Sequence, residues 1–216
     1  MKKYTTVLFD LDGTLVDSGI GVTSSVEYAL NKLGITPPPR QELFKFIGPP
    51  LVQSFSEFYG FDEEKTTSAI KYFREYYGKT GVLECTMYDG VLELMSSLKN
   101  KGYHIGIASS KAENYAVQVV DNKGILPYLD FVAAASVDET TRYTKEAVLE
   151  YALTLCTEKD RGKILMVGDR HFDINGAKRF GLDSVGVTFG YGSLEELAEA
   201  GATYIVDNMK EIDKLL

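Results

Sequence analysis

The chain has few of the residues that mark secreted, thiolate-metal or membrane-embedded proteins. Its 216 residues include only two cysteines and two histidines. Cys85 and Cys156 lie far apart and lack the spacing of metal ligands, so reduced thiols are expected. No apolar run is long enough to span a bilayer, and the first residues lack the apolar stretch of a signal peptide. The sequence therefore predicts a cytoplasmic protein with no membrane partner.

Long runs of basic residues are also missing. The chain has 23 Lys and Arg against 31 Asp and Glu, which gives a net charge of −8. A nucleic acid or an anionic membrane needs a basic face to bind, so neither partner is expected. A small anionic substrate stays compatible with this charge, because a metal ion and one or two local cations can bind phosphate in an acidic protein. The sequence does not indicate an oligomeric state.

What the chain does have is an alternation of short apolar segments with amphipathic helical patterns. With 44% hydrophobic residues it can bury one large core or two smaller ones. Ser193 and Glu196 form a capping box before the last strand pattern. The alternation predicts an α/β fold, a Rossmann-like parallel sheet with helices on both faces in three αβα layers. The predicted strands cover residues 7–9, 104–110, 131–135, 164–169, 184–188 and 203–206.

Residues 17–83 differ from the rest because they carry helical spacings and no strand pattern. Leu43, Phe44 and Ile47 predict one short helix there, which the Gly48-Pro49-Pro50-Leu51 segment ends. We expect an inserted helical domain at 17–83, an α/β core domain formed by 1–16 and 84–216, and hinges at 16–19 and 84–88.

Two carboxylates end the first predicted strand. Asp10 and Asp12 follow the apolar run 7–9, and Gly13 comes next, where the chain must turn. Acids at the tip of a buried strand cost stability unless a cation neutralises them. In one interpretation the two acids lie beside a divalent cation, and Asp10 points at a phosphoryl group. In the other they only form a polar strand end that leads into a turn.

Further polar groups come to the same edge, because ligands of an open parallel sheet bind at the carboxyl ends of its strands. One predicted strand ends in Ser109 and Ser110, with Lys111 directly after it, and another ends in Asp169. Asp173, four residues later, faces the same way as Asp169, so the two charges repel unless they share a cation. Ser109 is otherwise a polar strand end, and Asp173 a solvated helix acid or the partner of an arginine.

Lys145 begins a predicted helix, where a cation is unfavourable by roughly 0.3–1 kcal/mol when exposed. An anion held between the lysine and the helix would remove that cost; a solvated surface lysine is the alternative. Oxygen ligands without His or Cys indicate a hard cation, of which Mg²⁺ fits best.

These residues, in this order, resemble the four motifs of the haloacid dehalogenase superfamily. The first, D-x-D-G-T-[LV], corresponds to residues 10–15, the second to Ser109, the third to Lys145 and the fourth, G-D-x-x-x-D, to residues 168–173. The resemblance covers nearly the whole chain, and the helical insertion matches the family's small helical cap. Within the family the chain is similar to phosphoglycolate phosphatase-like proteins, including some 5′-nucleotidases.

The resemblance implies a Mg²⁺-dependent phosphatase that hydrolyses a small phosphorylated metabolite, either a phosphoglycolate-like ester or a nucleoside monophosphate, through an aspartyl-phosphate. Many relatives have Lys-Pro at the third motif, whereas Glu146 follows here; Arg142 could assist or replace the lysine. The implied residues fall into three groups: catalytic Asp10, Asp12, Ser109 and Lys145; phosphate-binding Gly13, Ser110 and Arg142; and metal-binding Asp10, Asp12, Asp169 and Asp173.

Two other functions use similar residues. A phosphosugar mutase of the β-phosphoglucomutase type, in the same superfamily, returns the phosphoryl group to a sugar, and a phospho-acceptor signalling module accumulates phospho-aspartate. The insertion is the expected source of specificity. Its candidates are the 48–51 segment and two cations, Arg40 and Lys45, which are otherwise solvated surface residues.

Overall fold

A computed structural model describes residues 3–137 and 141–216 of the chain. They form two compact units, one of Met1–Val16 and Met87–Leu216 and the other of Asp17–Thr86. The chain therefore passes between the units at 16–17 and 86–87, whereas the sequence pattern places the second passage at 83–84. Within the described ranges, no helix has the length and apolar character required to cross a membrane.

A six-stranded parallel sheet forms the centre of the first unit, in the order β5-β4-β1-β6-β7-β8. The two remaining strands, β2 and β3, pair with each other and contain both passages between the units. The parallel α/β fold predicted from the alternation is confirmed. The strands are β1 (Thr6–Phe9), β2 (Val16–Asp17), β3 (Thr86–Met87), β4 (His104–Ala112), β5 (Phe131–Ala135), β6 (Ile164–Gly168), β7 (Asp183–Val187) and β8 (Tyr204–Val206).

Strand β1 lies inside the sheet between β4 and β6, and three of its four residues, Val7, Leu8 and Phe9, are apolar. All four of its residues are buried. Leu8 is in register with Gly106 of β4 and with Met166 of β6. This order matters for the site, because the loops after β4, β1 and β6 begin next to one another at the carboxyl edge.

The second unit is helical, as the spacing predicts, and its core combines aliphatic side chains with aromatic rings. Its helices are α1 (Gly19–Lys32), α2 (Arg40–Leu43), α3 (Leu51–Tyr59) and α4 (Glu63–Tyr77). The prediction for Phe44 is wrong: residues 44–46 form one 3₁₀ turn, so that Phe46 is buried and Phe44 is exposed. The tighter turn changes which aromatic ring faces the core.

The remaining helices pack along the sheet. One hydrophobic cluster joins Val148, Leu149 and Ala152 of the helix after β5 to Leu8 and Met166 of the sheet. The helices are α5 (Val91–Asn100), α6 (Glu113–Asn122), α7 (Lys145–Leu155), α8 (His171–Arg179), α9 (Leu194–Ala200) and α10 (Met209–Leu215). Strands β1 and β6, with the starts of α7 and α8, bring the charged residues of the sequence motifs to one end of the sheet.

Candidate active site

Asp10 and Asp169 lie side by side because each directly follows a strand, and the two strands, β1 and β6, are paired. The backbone N–H of Asp10 donates to the carbonyl of Val167 at 2.8 Å, which continues the ladder past Phe9. Both carboxylates are buried. The arrangement predicted from the strand ends is therefore formed by adjacent parallel strands.

Lys145 joins this group from the first position of α7. Its ammonium donates to Asp10 Oδ1 at 2.7 Å and to the carbonyl of Ala108 at 2.8 Å, and it forms an ion pair with Asp173 Oδ1 at 2.7 Å. Lys145 is 6% exposed and Asp173 1%. The solvated alternatives for both residues are thus excluded, and the cation at the helix start is balanced by two carboxylates. Thr144 caps that helix by accepting from the Ala147 N–H at 3.2 Å.

Three buried carboxylates cluster here, and the Lys145 ammonium pairs with two of them, Asp10 and Asp173. Asp10, Asp169 and Asp173 each offer one oxygen, and these oxygens lie within 4.8 Å of one another. Within the described ranges, Asp12 Oδ1 is a buried oxygen at this end of the sheet that has no hydrogen-bond partner. An excess of negative charge with spare oxygen donors fits a hard divalent cation.

Burial and mutual charge shift the pKa values of Asp10, Lys145 and Asp169. Burial raises the pKa of Asp10 to about 6, with Lys145 opposing the rise. Burial also raises the pKa of Asp169 well above its usual value, and the charges of Asp173 and Asp10 add to this rise. Burial alone would lower the pKa of Lys145, but Asp10 and Asp173 outweigh it and raise the pKa. The site therefore holds its negative charge at a cost that a cation would relieve.

Asp169 is held against the turn that follows β1. One of its oxygens accepts from the Tyr191 N–H at 2.7 Å, and the other lies 3.5 Å from the Thr14 hydroxyl, its donor. Gly13 makes this approach possible. Its φ is +80°, and a Cβ at this position would lie 2.1 Å from Asp169 Oδ2. Glycine is therefore required here by both backbone conformation and space.

Asp12 does not join the acid cluster with its side chain. Its Oδ2 accepts from Lys111 Nζ at 2.6 Å, a contact that the sequence reasoning did not foresee. Strand β4 advances from Ser109 to Ala112 while its partner β5 advances by one residue, from Ala134 to Ala135. Such a bulge redirects side chains, and here it accompanies the pairing of Lys111 with Asp12.

The predicted phosphate-binding residues have different surroundings. Ser109 is buried, and its hydroxyl lies 3.4 Å from the Lys111 N–H, which donates to it; Ser110 is partly exposed. Arg142 donates to Glu113 Oε2 and to the Ala134 carbonyl, each at 2.6 Å. Its guanidinium also lies 4.0 Å from the centre of the Tyr151 ring. The contacts described for Arg142 are therefore with α6, β5 and α7, and its role in phosphate binding stays a prediction.

Sequence reasoning missed the carboxylate of Glu196 on α9. It accepts from Arg170 Nε at 2.9 Å, from the His171 N–H at 2.9 Å and from His171 Nδ1 at 2.7 Å. The capping-box pattern did point to this residue, but for another contact. Ser193 caps α9 as predicted, accepting from the Glu196 N–H at 3.1 Å, while the Glu196 side chain turns to the loop after β6.

Comparison with known proteins now places the chain in a family. Residues 7–187 match the family model described as haloacid dehalogenase-like hydrolase. The chain belongs to this family. A 5′-nucleotidase of Pseudomonas aeruginosa is 36% identical over 217 residues, which cover 99% of this chain and 96% of that protein. The solved structure of a protein from Clostridium acetobutylicum described as a predicted phosphatase is 45% identical and has a TM-score of 0.93. The match covers 98% of this chain and 97% of that one.

A further relative carries a different name. The tyrosine-protein kinase PtkA of Mycobacterium tuberculosis is 32% identical over 209 residues, which cover 97% of this chain and 70% of that protein. Membership of the family and the phosphatase relatives identify this haloacid dehalogenase-like hydrolase as a phosphatase. The family resemblance drawn from the four motifs is confirmed.

Proposed function

We propose that this phosphatase is Mg²⁺-dependent and hydrolyses a small phosphate monoester through an aspartyl-phosphate on Asp10. The observation that carries the proposal is the cluster of three buried carboxylates, those of Asp10, Asp169 and Asp173, of which the buried Lys145 ammonium pairs with Asp10 and Asp173. Such a group retains net negative charge where water is largely excluded, and a divalent cation offsets it.

The residues suited to hold the cation are the side chains of Asp10, Asp169 and Asp173, together with the backbone carbonyl of Asp12. When bound, Mg²⁺ would screen the repulsion between a carboxylate nucleophile and a phosphate dianion. The Lys145 ammonium offsets the charge of only one of these three carboxylates, which supports a site that needs a further cation.

Asp10 acts as the nucleophile. A carboxylate oxygen of Asp10 attacks phosphorus, a new phosphorus–oxygen bond forms, and the bond from phosphorus to the ester oxygen breaks. The negative charge then develops on the leaving alkoxide. Lys145 keeps Asp10 oriented through the 2.7 Å hydrogen bond and supports the ionised form that attack requires.

Asp12 transfers the protons. It protonates the leaving alkoxide in the first step, then takes a proton from the water that attacks phosphorus, which releases inorganic phosphate and restores Asp10. Lys111 holds Asp12 Oδ2 at 2.6 Å, and Oδ1 accepts no hydrogen bond from any described residue. We therefore assign the proton transfer to Oδ1.

Ser109 and Lys145 stabilise the phosphoryl oxygens, with Gly13, Ser110 and Arg142 as further candidates. Negative charge develops on these oxygens in the transition state, and hydrogen-bond donors already in position there lower the barrier most. Lys145 Nζ has three oxygens within 2.8 Å, so contact with a phosphate oxygen requires that it share or release one of them.

The helical unit selects the substrate in this proposal. Of its two candidate cations, Arg40 is paired with Glu27 at 3.0 Å, whereas Lys45 lies 4.5 Å above the Phe58 ring. The Arg40 charge is thus already offset by Glu27, so Lys45 is the stronger of the two predicted specificity cations. The adjacent 48–51 segment stays the predicted specificity loop.

Nucleoside 5′-monophosphates are the first substrates to test, because the Pseudomonas aeruginosa relative, matched over nearly its full length, is named 5′-nucleotidase. Phosphoglycolate is the second. The relative named as a tyrosine-protein kinase makes transfer to an acceptor other than water worth measuring in the same assay, as does the mutase alternative.

The test is phosphate release from a panel of nucleoside monophosphates, phosphoglycolate and sugar phosphates, with Mg²⁺ and with EDTA. We expect release that EDTA abolishes and added Mg²⁺ restores, and a phosphoryl group on the peptide containing Asp10 after acid quenching. Full activity in EDTA would contradict the metal role. Consumption of an ester without phosphate release, with isomerised sugar phosphate as product, would favour the mutase.

A further inference from the structure

We propose that Glu196 is a positioning residue for the metal-binding acids: it fixes the turn from Asp169 to Asp173 and so sets the affinity of the site for a divalent cation. This inference rests on the proposed function, because it assumes that those acids bind Mg²⁺. It adds a residue from outside the four sequence motifs.

One oxygen of Glu196 accepts three hydrogen bonds from two consecutive residues. Its Oε1 lies 2.9 Å from Arg170 Nε, 2.9 Å from the His171 backbone nitrogen and 2.7 Å from His171 Nδ1. The side chain of Glu196 is 24% exposed and that of Arg170 is 18% exposed. The contacts are therefore partly shielded from water, and charge-assisted bonds of this kind are stronger than neutral ones.

Arg170 and His171 are the two residues that directly follow Asp169. The N–H of Arg170 donates to Asp173 Oδ2 at 3.1 Å, so the same turn also orients the second acid. His171 begins α8, the helix that carries Asp173. A carboxylate that fixes Arg170 and His171 thus constrains the direction in which both Asp169 and Asp173 point.

The loop before α9 adds a second link to the same acid. The N–H of Tyr191 donates to Asp169 Oδ2 at 2.7 Å, five residues before Glu196. The segment from residue 191 to residue 196 therefore contacts the turn at Asp169 and again at residues 170–171. Removal of a side chain that holds metal ligands in position through hydrogen bonds typically lowers metal affinity about 10- to 100-fold.

The role of Glu196 can be separated from the stability of its own helix. Ser193, not the Glu196 carboxylate, caps α9, through the 3.1 Å bond from the Glu196 N–H. Substitution of the Glu196 side chain leaves this cap in place. Glu199, exposed on the same helix, supplies a matched control.

The experiment titrates Mg²⁺ alone into metal-free wild type, Glu196→Ala, Glu196→Gln and Glu199→Ala by calorimetry. We expect Glu196→Ala to bind Mg²⁺ about 10-fold more weakly, and Glu196→Gln, which keeps an acceptor oxygen, to recover most of that loss. Glu199→Ala should match the wild type. Activity of Glu196→Ala should require about 10-fold more Mg²⁺ while kcat at saturating Mg²⁺ falls less.

A second measurement needs no metal. Hydrogen exchange of the His171 amide should accelerate in metal-free Glu196→Ala, because its acceptor is gone, and should be unchanged in Glu199→Ala. Wild-type Mg²⁺ affinity in Glu196→Ala, with or without faster exchange, would overturn the inference. If the wild type itself binds no Mg²⁺, the metal role in the proposed function fails, and this inference fails with it before any substitution is compared.

Discussion

The two units bury polar groups of different kinds. In the α/β unit the buried polar residues include four charged side chains, those of Asp10, Lys145, Asp169 and Asp173. Among the described residues of the helical unit they are all hydroxyls: Ser18, Thr23, Ser25, Ser54 and Thr66. The hydroxyls of Thr23 and Ser25 bond to backbone carbonyls of their own helix, at 2.6 Å each.

This difference separates the chemistry from the scaffold. Buried charges cost several kcal/mol each unless they are paired or bind a metal, so a fold keeps four of them together only where they are used or balanced. Hydroxyls that bond to the nearest carbonyl carry little such cost. In the proposed function the reaction steps therefore belong to the α/β unit, and we expect any selectivity supplied by the helical unit to come from exposed side chains.

The largest expected effect is that of Asp10→Asn. The amide cannot act as the nucleophile, so we expect kcat/KM to fall by more than about 10³-fold for every ester in the panel. Steady-state phosphate release with Mg²⁺ measures this. Asp62→Asn, the same change at the N-cap of α4, should keep wild-type rates, because asparagine also accepts from the Lys65 N–H. Substantial activity in Asp10→Asn would show that Asp10 is not the nucleophile.

The next effect is that of Lys145→Ala, which leaves two buried carboxylates without their ammonium. We expect a higher KM and a kcat about 100-fold lower, together with a loss of about 3 kcal/mol in the free energy of unfolding without metal. Urea denaturation and steady-state kinetics measure both. Lys71→Ala, exposed on α4, is the control and should change neither. Wild-type kinetics in Lys145→Ala would shift the phosphate-binding role to Arg142.

The smallest expected effect on activity is that of Gly168→Ala, which we compare with Gly60→Ala in the helical unit. A Cβ on Gly168 would lie 2.2 Å from Asp173 Cγ, so Gly168→Ala must displace that acid, and we expect activity to fall roughly 10-fold or more. Gly60, at the end of α3, has a φ of +63° and open space around its Cβ position. Gly60→Ala should cost about 1 kcal/mol of unfolding free energy and leave activity unchanged. If Gly60→Ala lowers activity as much as Gly168→Ala, the division of roles between the units is wrong.

The alternation of apolar segments predicted the sheet well, because strands buried on both faces read as continuous apolar runs. The strand at Phe131–Ala135 is as predicted, β6 ends one residue earlier than predicted, and β7 is shifted by one residue at both ends. Strand β4 is the exception. It continues two residues beyond the predicted end, through a bulge that no apolar pattern encodes, and the residues in this bulge include Lys111.

Helix starts were predicted less reliably where the capping residue has several possible partners. Lys145 begins its helix as expected, yet the residue that caps it, Thr144, was not identified beforehand. Ser193 was identified, but the Glu196 carboxylate beside it bonds across to another loop. Local sequence indicates which side chains can accept a hydrogen bond near a helix end. Which donor they reach depends on the elements that pack next to that end.

By itself the sequence determined the fold class, the family and the group of acids at the end of the sheet. The alternation of strand and helix patterns indicates the fold class, and short motifs that follow one another along the chain indicate the family and the acids. The tertiary structure alone decided which charges pair. It placed Lys145 between Asp10 and Asp173, turned Lys111 to Asp12, and brought Glu196 to the turn after β6. Such contacts join residues 25 to 135 positions apart, and their partners are selected by strand order and packing rather than by sequence neighbours.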